Sequence, residues 1–161
     1  MAHKNGWSKQ EAADTVNKVL KAIKSIKLYK VCGSYRRNCE VIGDLDIVIV
    51  PANRQLFQAS VNLLASEIVA SGGRKVRILL DNKMQVDFVI VDEEEFEAMV
   101  LEQTGSKNFN IKCRRIAKEK GFKLNGYGLW KDDQRVANTE ASILKYIGLE
   151  NRFLEPEERS L

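Results

Sequence analysis

Two aspartates, Asp44 and Asp46, stand one residue apart at the start of the β-branched run at positions 47–50. Side chains two residues apart leave the same face of a strand, so both carboxylates can close on one cation. Asp87 lies in a second apolar run, at positions 84–91, and a neighbouring strand would bring this third carboxylate to the same edge. Three close carboxylates stay ionised only if cations neutralise them. Hard divalent ions that prefer oxygen ligands, Mg²⁺ above all, suit such a site.

A turn that could hold a phosphate precedes these aspartates. Gly33 and Ser34 follow a predicted strand and lead into a short helical turn, where a hydroxyl and free backbone N–H groups can bind an anion. Arg37 can add a bidentate contact, and Gly43 lets the backbone approach a phosphate oxygen. Two metal ions about 3.5 to 4 Å apart would there activate an attacking oxygen and stabilise a leaving pyrophosphate. Each motif alone is commonly a plain turn or strand end, and Asp87 alone could be a buried acid paired with an arginine, but their conjunction predicts a site for a phosphate and a divalent metal.

The elements that must position these residues follow from hydrophobic periodicity and turn residues. Ser8 with Glu11, and Thr139 further on, are predicted helix caps. The nearly continuous apolar run after Asp44 indicates a central strand that is covered on both faces. Helices are predicted at 9–25, 53–70, 93–101, 107–120 and 140–147, with a helical turn at 35–40. Strands are predicted at 28–32, 44–50, 75–80 and 84–91, with a hairpin at 123–136 and a polar tail at the end.

Composition excludes several other classes of protein. The chain of 161 residues is 44% hydrophobic and 30% charged, as in ordinary folded proteins. No apolar run reaches the roughly 18 residues of a membrane span, and the N-terminus has no signal-peptide core, so we expect a soluble intracellular protein with no membrane partner. The three cysteines are scattered and the only histidine is His3, which argues against zinc and disulfides. Any metal must therefore be held by oxygen.

The charge distribution indicates a polyanionic partner. Residues 1–30 hold seven lysines against two acids, and residues 104–135 hold nine basic residues against three acids, while the segment between them is acidic. Two basic flanks around the aspartates favour a nucleic acid held from both sides. On composition alone, solvated helix faces explain the same runs. A boundary near Thr104 divides the chain into predicted subdomains at 1–103 and 104–161.

The motifs together resemble a known family. Residues 33–37, Gly-Ser-Tyr-Arg-Arg, and 43–46, Gly-Asp-Leu-Asp, resemble the signature of family X DNA polymerases, the nucleotidyltransferases that include DNA polymerase beta. The segments 104–106, 109–110, 121–125, 127–129, 139–140 and 156–159, with Arg114, resemble the thumb of that family. The resemblance runs from about Leu28 to the C-terminus, as in minimal viral members. It implies an α+β fold, in which a palm with a mixed β-sheet and flanking helices precedes a small α/β thumb.

The resemblance also implies roles for individual residues. Asp44 and Asp46 would bind both of two Mg²⁺ ions, for which Mn²⁺ can substitute, and Asp87 would bind the catalytic ion and help to deprotonate the primer 3′-hydroxyl. The phosphates of a deoxynucleoside triphosphate would contact Gly33, Ser34, Arg37 and Gly43. The nascent base pair and the template strand would contact Asn110 and Arg114. The DNA backbone would contact Lys107, Arg114, Arg115, Lys118 and Lys123.

The function that follows is template-directed DNA synthesis in short gaps. The expected partners are primer-template or gapped duplex DNA and deoxynucleoside triphosphates, and the expected state is a monomer, located in the host cytoplasm or nucleoid if the protein is viral. Two alternatives remain open. One is a non-templated nucleotidyltransferase that acts on a small molecule, a protein or an RNA end, and the other is a catalytically silent DNA-binding module.

Four positions depart from the pattern of the family. Glu102 and Gln103 replace an aromatic pair that lies against the incoming sugar, so selection between deoxy- and ribonucleotides does not follow from the resemblance. Gln85 replaces an arginine two residues before Asp87, which removes a partner that restrains this aspartate between turnovers. Lys107 replaces an acidic residue and brings positive charge near the incoming base. None of these changes removes a predicted metal ligand.

Overall fold

The computed structural model of the chain describes residues 6–161. His3 and the start of the predicted 1–103 subdomain fall in residues 1–5 and lie outside the described residues. In the described part, no helix is both long and apolar enough to pass through a membrane.

Helices and strands alternate along the described chain. The helices are α1 Lys9–Ala22, α2 Gly33–Arg36, α3 Arg54–Leu64, α4 Phe96–Thr104, α5 Lys107–Glu119 and α6 Glu140–Tyr146. The strands are β1 Trp7–Ser8, β2 Ile26–Val31, β3 Val41–Ile42, β4 Leu45–Pro51, β5 Glu67–Ser71, β6 Lys75–Leu79, β7 Gln85–Ile90, β8 Lys123–Asn125, β9 Gly128–Lys131 and β10 Gln134–Ala137. Short 3₁₀ turns occupy Glu93–Glu95, Asn151–Leu154 and Pro156–Arg159.

A mixed five-stranded sheet in the order β2-β4-β7-β6-β5 forms the first half of the molecule. Strands β4 and β7 are parallel neighbours near its centre, and the other neighbours are antiparallel. On one face, Val16 of α1 and Phe57 of α3 pack into the main core. On the other face, Met99 of α4 packs against Val48 of β4. The sheet is therefore covered on both sides at β4, as its continuous apolar sequence predicts.

The second half packs around its own core. Helices α5 and α6 and the three-stranded sheet β10-β9-β8 contribute Phe109, Leu129 and Ile143. Ala98 and Leu101 of α4 belong to this second core, so α4 presents one face to the large sheet and another to the following elements. This arrangement confirms the predicted α+β fold, with a mixed sheet and flanking helices followed by a small α/β unit.

The prediction of one helix over 53–70 is wrong at its C-terminal end. Helix α3 ends at Leu64, and residues 67–71 instead form the edge strand β5. The backbone N–H of Ser66 donates to the carbonyl of Leu79, and β5 then pairs antiparallel with β6 across the turn at 72–74. Ile68 and Val69 fit a helical apolar stripe, but both are β-branched and pair better in a sheet than in a final helical turn.

Smaller differences concern the ends of elements. The predicted cap at Ser8 forms a capping box with Glu11, and the hydroxyl of Thr139 caps α6. Helix α2 begins at Gly33, two residues before the predicted turn at 35–40. The predicted polar tail is folded into two 3₁₀ turns, and its Arg159 is only 1% exposed. The tail is thus part of the packed structure.

Candidate active site

Three carboxylates lie close together at the N-terminal ends of the neighbouring strands β4 and β7 in the large sheet. Asp46 lies on β4 directly opposite Asp87 on the parallel strand β7, and Asp44 lies just before β4. Ligand atoms of all three side chains lie within 4.8 Å of one another. Asp87 is 4% exposed, and the other two are half-buried. The neighbouring-strand arrangement predicted for Asp87 is therefore present in the structure.

The three carboxylates are electrostatically strained in the absence of a cation. Burial raises the pKa of Asp46 to about 7, and the charges of Asp44 and Asp87 act in the same direction. Burial also raises the pKa of Asp44, again with a contribution from Asp87. A divalent cation would remove this repulsion, and all of the available donors are oxygens. The residues therefore fit a hard divalent ion such as Mg²⁺.

The raised pKa of Asp46 predicts an unusual pH dependence of stability for the metal-free protein. The folded state holds the proton to about pH 7, whereas the unfolded carboxyl loses it near its ordinary pKa of 3.8. Between these values the folded state binds more protons, so the free energy of unfolding falls as pH rises. A single such group contributes at most about 1.4 kcal/mol per pH unit. We expect Asp46→Asn to be more stable than wild type at about pH 8 and to lose that advantage progressively as pH falls toward about 4.

Urea unfolding in a chelating buffer at several pH values tests this expectation. The comparison of wild type with Asp46→Asn removes the contribution of groups that both proteins share. Added Mg²⁺ should restore stability to wild type at high pH and have less effect on the variant. A stability difference that does not change with pH would contradict the raised pKa.

The predicted phosphate turn lies directly against this site. Gly33 opens α2 with a φ of 62°, and a Cβ added there would lie 2.6 Å from Oδ2 of Asp46. Only glycine combines this backbone conformation with such a close approach to the carboxylate. Ser34 follows at the start of α2 and is half-buried. The position of a Cβ on Gly43 is open, with no atom within 4 Å.

The two arginines of the turn have different environments. The guanidinium of Arg37 donates from Nε to the Ser160 hydroxyl and from Nη1 to the carbonyl of Thr104. Arg36 instead forms a two-pronged ion pair with Glu140, at 2.7 and 2.9 Å, and also donates to the Thr104 hydroxyl. Both arginines therefore tie α2 to residues beyond α4.

Sequence reasoning missed the role of Arg36 and its partners. Glu140 accepts hydrogen bonds from Arg36 and from Arg159 at 2.7 Å each. Burial alone would raise the pKa of Glu140, but the two guanidinium groups hold it below its usual value. The first arginine of the turn, the acid after the Thr139 cap and the arginine in the tail were visible in the sequence, but nothing local indicated that they meet.

The predicted base-pair contacts lie together on the first turns of α5. Asn110 donates to the carbonyl of Glu102 at 2.8 Å, and Arg114 lies 4.0 Å from the Glu102 carboxylate. These three residues line one small pocket between α4, α5 and β8. Gln103, the second departure from the aromatic pair, turns back along α4 toward the sulfur of Met99. Two polar side chains, one of them the negatively charged Glu102, therefore stand where the resemblance predicts the aromatic pair.

The predicted DNA-backbone contacts are all exposed. Lys107, Arg114 and Lys118 follow one another at helical spacing on one face of α5. Arg115 lies beside this face and pairs loosely with Glu119 at 3.9 Å, and Lys123 begins β8. The structure thus presents these basic groups to solvent, where a polyanion can reach them.

Asp87 has an arginine partner, although Gln85 replaces the arginine expected two residues before it. Arg77, on the antiparallel strand β6, lies directly opposite Asp87 and binds it through Nε and Nη2, at 2.8 and 3.2 Å. Gln85 makes only long contacts, at 3.5 Å to Asp44 and 3.4 Å to Asp87. The sequence did carry a signal for this pair, because a hairpin that turns at 81–83 sets Arg77 opposite Asp87. A different strand supplies the arginine.

Two family models match the chain. The model of the DNA polymerase beta palm matches residues 8–117, and the model of the DNA polymerase beta thumb matches residues 99–160. The two matches overlap at residues 99–117, which cover most of α4 and α5.

Curated relatives agree with these models. Repair DNA polymerase X of African swine fever virus is 31% identical over 132 residues, which cover 75% of this chain and 76% of the relative. DNA polymerase/3′-5′ exonuclease PolX of Bacillus subtilis is 40% identical over 103 residues, which cover 60% of this chain but 18% of the relative. Human DNA-directed DNA/RNA polymerase mu is 38% identical over 81 residues, which cover 48% of this chain and 16% of the relative.

Proposed function

We propose that this chain, which belongs to the family X DNA polymerases, fills short gaps in DNA. It would add deoxynucleotides to a primer 3′-hydroxyl, and the template strand would select each nucleotide. The proposed palm covers residues 1–103 and the proposed thumb covers 104–161. The protein acts as a monomer inside the cell. Two Mg²⁺ ions serve the reaction, and Mn²⁺ can replace them.

The observation that carries the proposal is the cluster of Asp44, Asp46 and Asp87 within 4.8 Å at a sheet edge. Asp44 and Asp46 hold both ions, and Asp87 holds one and receives the proton of the primer 3′-hydroxyl. Bound divalent ions would supply Lewis-acid activation of that hydroxyl and stabilise the leaving pyrophosphate. Because Asp46 and Asp87 lie on adjacent central strands, the sheet keeps their spacing rigid.

The turn at α2 holds the triphosphate. Gly33 and Gly43 let phosphate oxygens approach the backbone, and the Ser34 hydroxyl donates a hydrogen bond. Within residues 6–161, the guanidinium of Arg37 makes hydrogen bonds only through Nε and Nη1, which leaves Nη2 for a phosphate. Because Gly33 packs against Asp46, the phosphate turn and the metal ligands form one continuous site.

The exposed basic face of α5 binds DNA. Lys107, Arg114, Arg115 and Lys118, with Lys123 on β8, contact backbone phosphates and give affinity without sequence preference. Asn110 and Arg114 reach the nascent base pair and the template. Because this surface binds largely through phosphates, DNA affinity should fall steeply with salt concentration.

Primer extension on a duplex with a one-nucleotide gap tests the proposed function. We expect Mg²⁺-dependent addition of the nucleotide that pairs with the template base, and the added base should change when the template base is changed. Addition of the same nucleotide opposite every template base would support a non-templated nucleotidyltransferase instead. DNA binding without any metal-dependent turnover would indicate a silent binding module. Either outcome contradicts the proposal.

A further inference from the structure

Arg77 makes a direct ion pair with one of the three carboxylates of the candidate site. Its Nε and Nη2 each donate to a different oxygen of Asp87, at 2.8 and 3.2 Å. The Asp87 side chain is only 5% exposed, whereas the Arg77 side chain is 39% exposed. The guanidinium therefore approaches the cluster from its solvent side and can leave it without opening the core.

Arg77 differs in this contact from the other polar groups around the cluster. Lys75 lies two residues earlier on the same strand and influences Asp44 and Asp46 only through space. The long contacts of Gln85, at 3.4 and 3.5 Å, are weak hydrogen bonds. Among the described residues, Arg77 is the only cation within ion-pair distance of any of the three carboxylates.

This contact competes with a bound cation. Both oxygens of Asp87 are already engaged, so an entering ion must share them with the guanidinium or displace it. A divalent ion at this position is also repelled by the positive charge of Arg77. Without an ion, the same charge offsets part of the repulsion among the carboxylates and holds Asp87 in one orientation.

We infer that Arg77 is a positioning residue that holds Asp87 while the metal site is empty and lowers the affinity of that site for divalent ions until the guanidinium moves away. The inference rests on the proposed function in one respect, namely that Asp87 is a metal ligand. A purely structural role for the ion pair would stabilise the sheet and leave metal affinity unchanged.

Mn²⁺ binding to the full chain, measured from the electron paramagnetic resonance signal of free Mn²⁺, tests the inference without DNA or nucleotide. Removal of one positive charge a few ångströms from a divalent ion predicts about tenfold tighter Mn²⁺ binding by Arg77→Gln. Lys75→Gln is the matched control, because it removes a nearby charge that makes no hydrogen bond to the cluster. The control should tighten binding by less than about threefold.

Two further variants guard against ambiguous results. Arg77→Lys keeps the positive charge and protects against misfolding. A single ammonium group cannot bridge both oxygens of Asp87 as the guanidinium does. The Mn²⁺ affinity of Arg77→Lys should therefore lie between those of wild type and Arg77→Gln. Asp87→Asn should weaken Mn²⁺ binding, and unchanged binding in that variant would overturn the proposed metal site together with the inference. The inference alone is overturned if Asp87→Asn weakens Mn²⁺ binding but both Arg77 variants bind Mn²⁺ as wild type does. It is also overturned if Arg77→Gln and Lys75→Gln change the Mn²⁺ affinity equally.

Discussion

Replacement of Asp46 by asparagine should reduce nucleotide incorporation by at least about a thousandfold, or ~4 kcal/mol of transition-state stabilisation. Asp46 faces Asp87 across the parallel strands and lies against Gly33 of the phosphate turn, so it contributes to both parts of the site. Asparagine keeps the shape of the side chain but removes the charge that would hold a divalent ion. The expected loss is therefore chemical, and the fold should persist.

Single-turnover incorporation on gapped DNA measures this effect. Asp133→Asn is a suitable control, because Asp133 is exposed in the β9–β10 turn at a positive φ of 64° that asparagine also tolerates. The control should incorporate nucleotides at the wild-type rate. Retention of even about a tenth of wild-type activity by Asp46→Asn would argue against a charged metal ligand at this position.

Replacement of Glu140 by alanine should destabilise the fold by about 3–5 kcal/mol, because it leaves two arginines partly or fully buried without their counter-ion. The Glu140 side chain is 15% exposed, and its partners Arg36 and Arg159 are 18% and 1% exposed. Their ion pairs join α2, which carries the phosphate turn, to α6 and the C-terminal tail. The variant should therefore also loosen the turn that is proposed to hold the nucleotide.

Denaturant unfolding measures the cost, with Glu150→Ala as the matched control. Glu150 also pairs with an arginine, Arg152, but its side chain is 71% exposed, and such pairs contribute at most about 1 kcal/mol. Similar losses for the two variants would mean that the buried network contributes no more than a surface pair. A variant retaining the charge, Glu140→Asp, should recover part of the stability if the ion pairs are the cause.

The sequence was a sufficient guide to features that depend on neighbouring residues. Hydrophobic periodicity located most helices and strands, and local capping patterns at Ser8 and Thr139 formed as predicted. The same reasoning failed at Ile68 and Val69, whose spacing suits a helix. Their place in an edge strand depends on pairing with β6 across a turn, and hydrophobic periodicity within one segment carries no information about that partner.

The amino-acid sequence alone determined which residues can bind a metal or a phosphate, because residue type and the spacing of nearby residues are local properties. Tertiary structure decided which of them meet. The register of β4, β7 and β6 places Asp46, Asp87 and Arg77 in one row, although Arg77 and Asp46 are far apart in sequence. Arg159, in a segment that reads as a polar tail, is buried against Glu140. Long-range ion pairs of this kind follow from how elements pack, which no local pattern records.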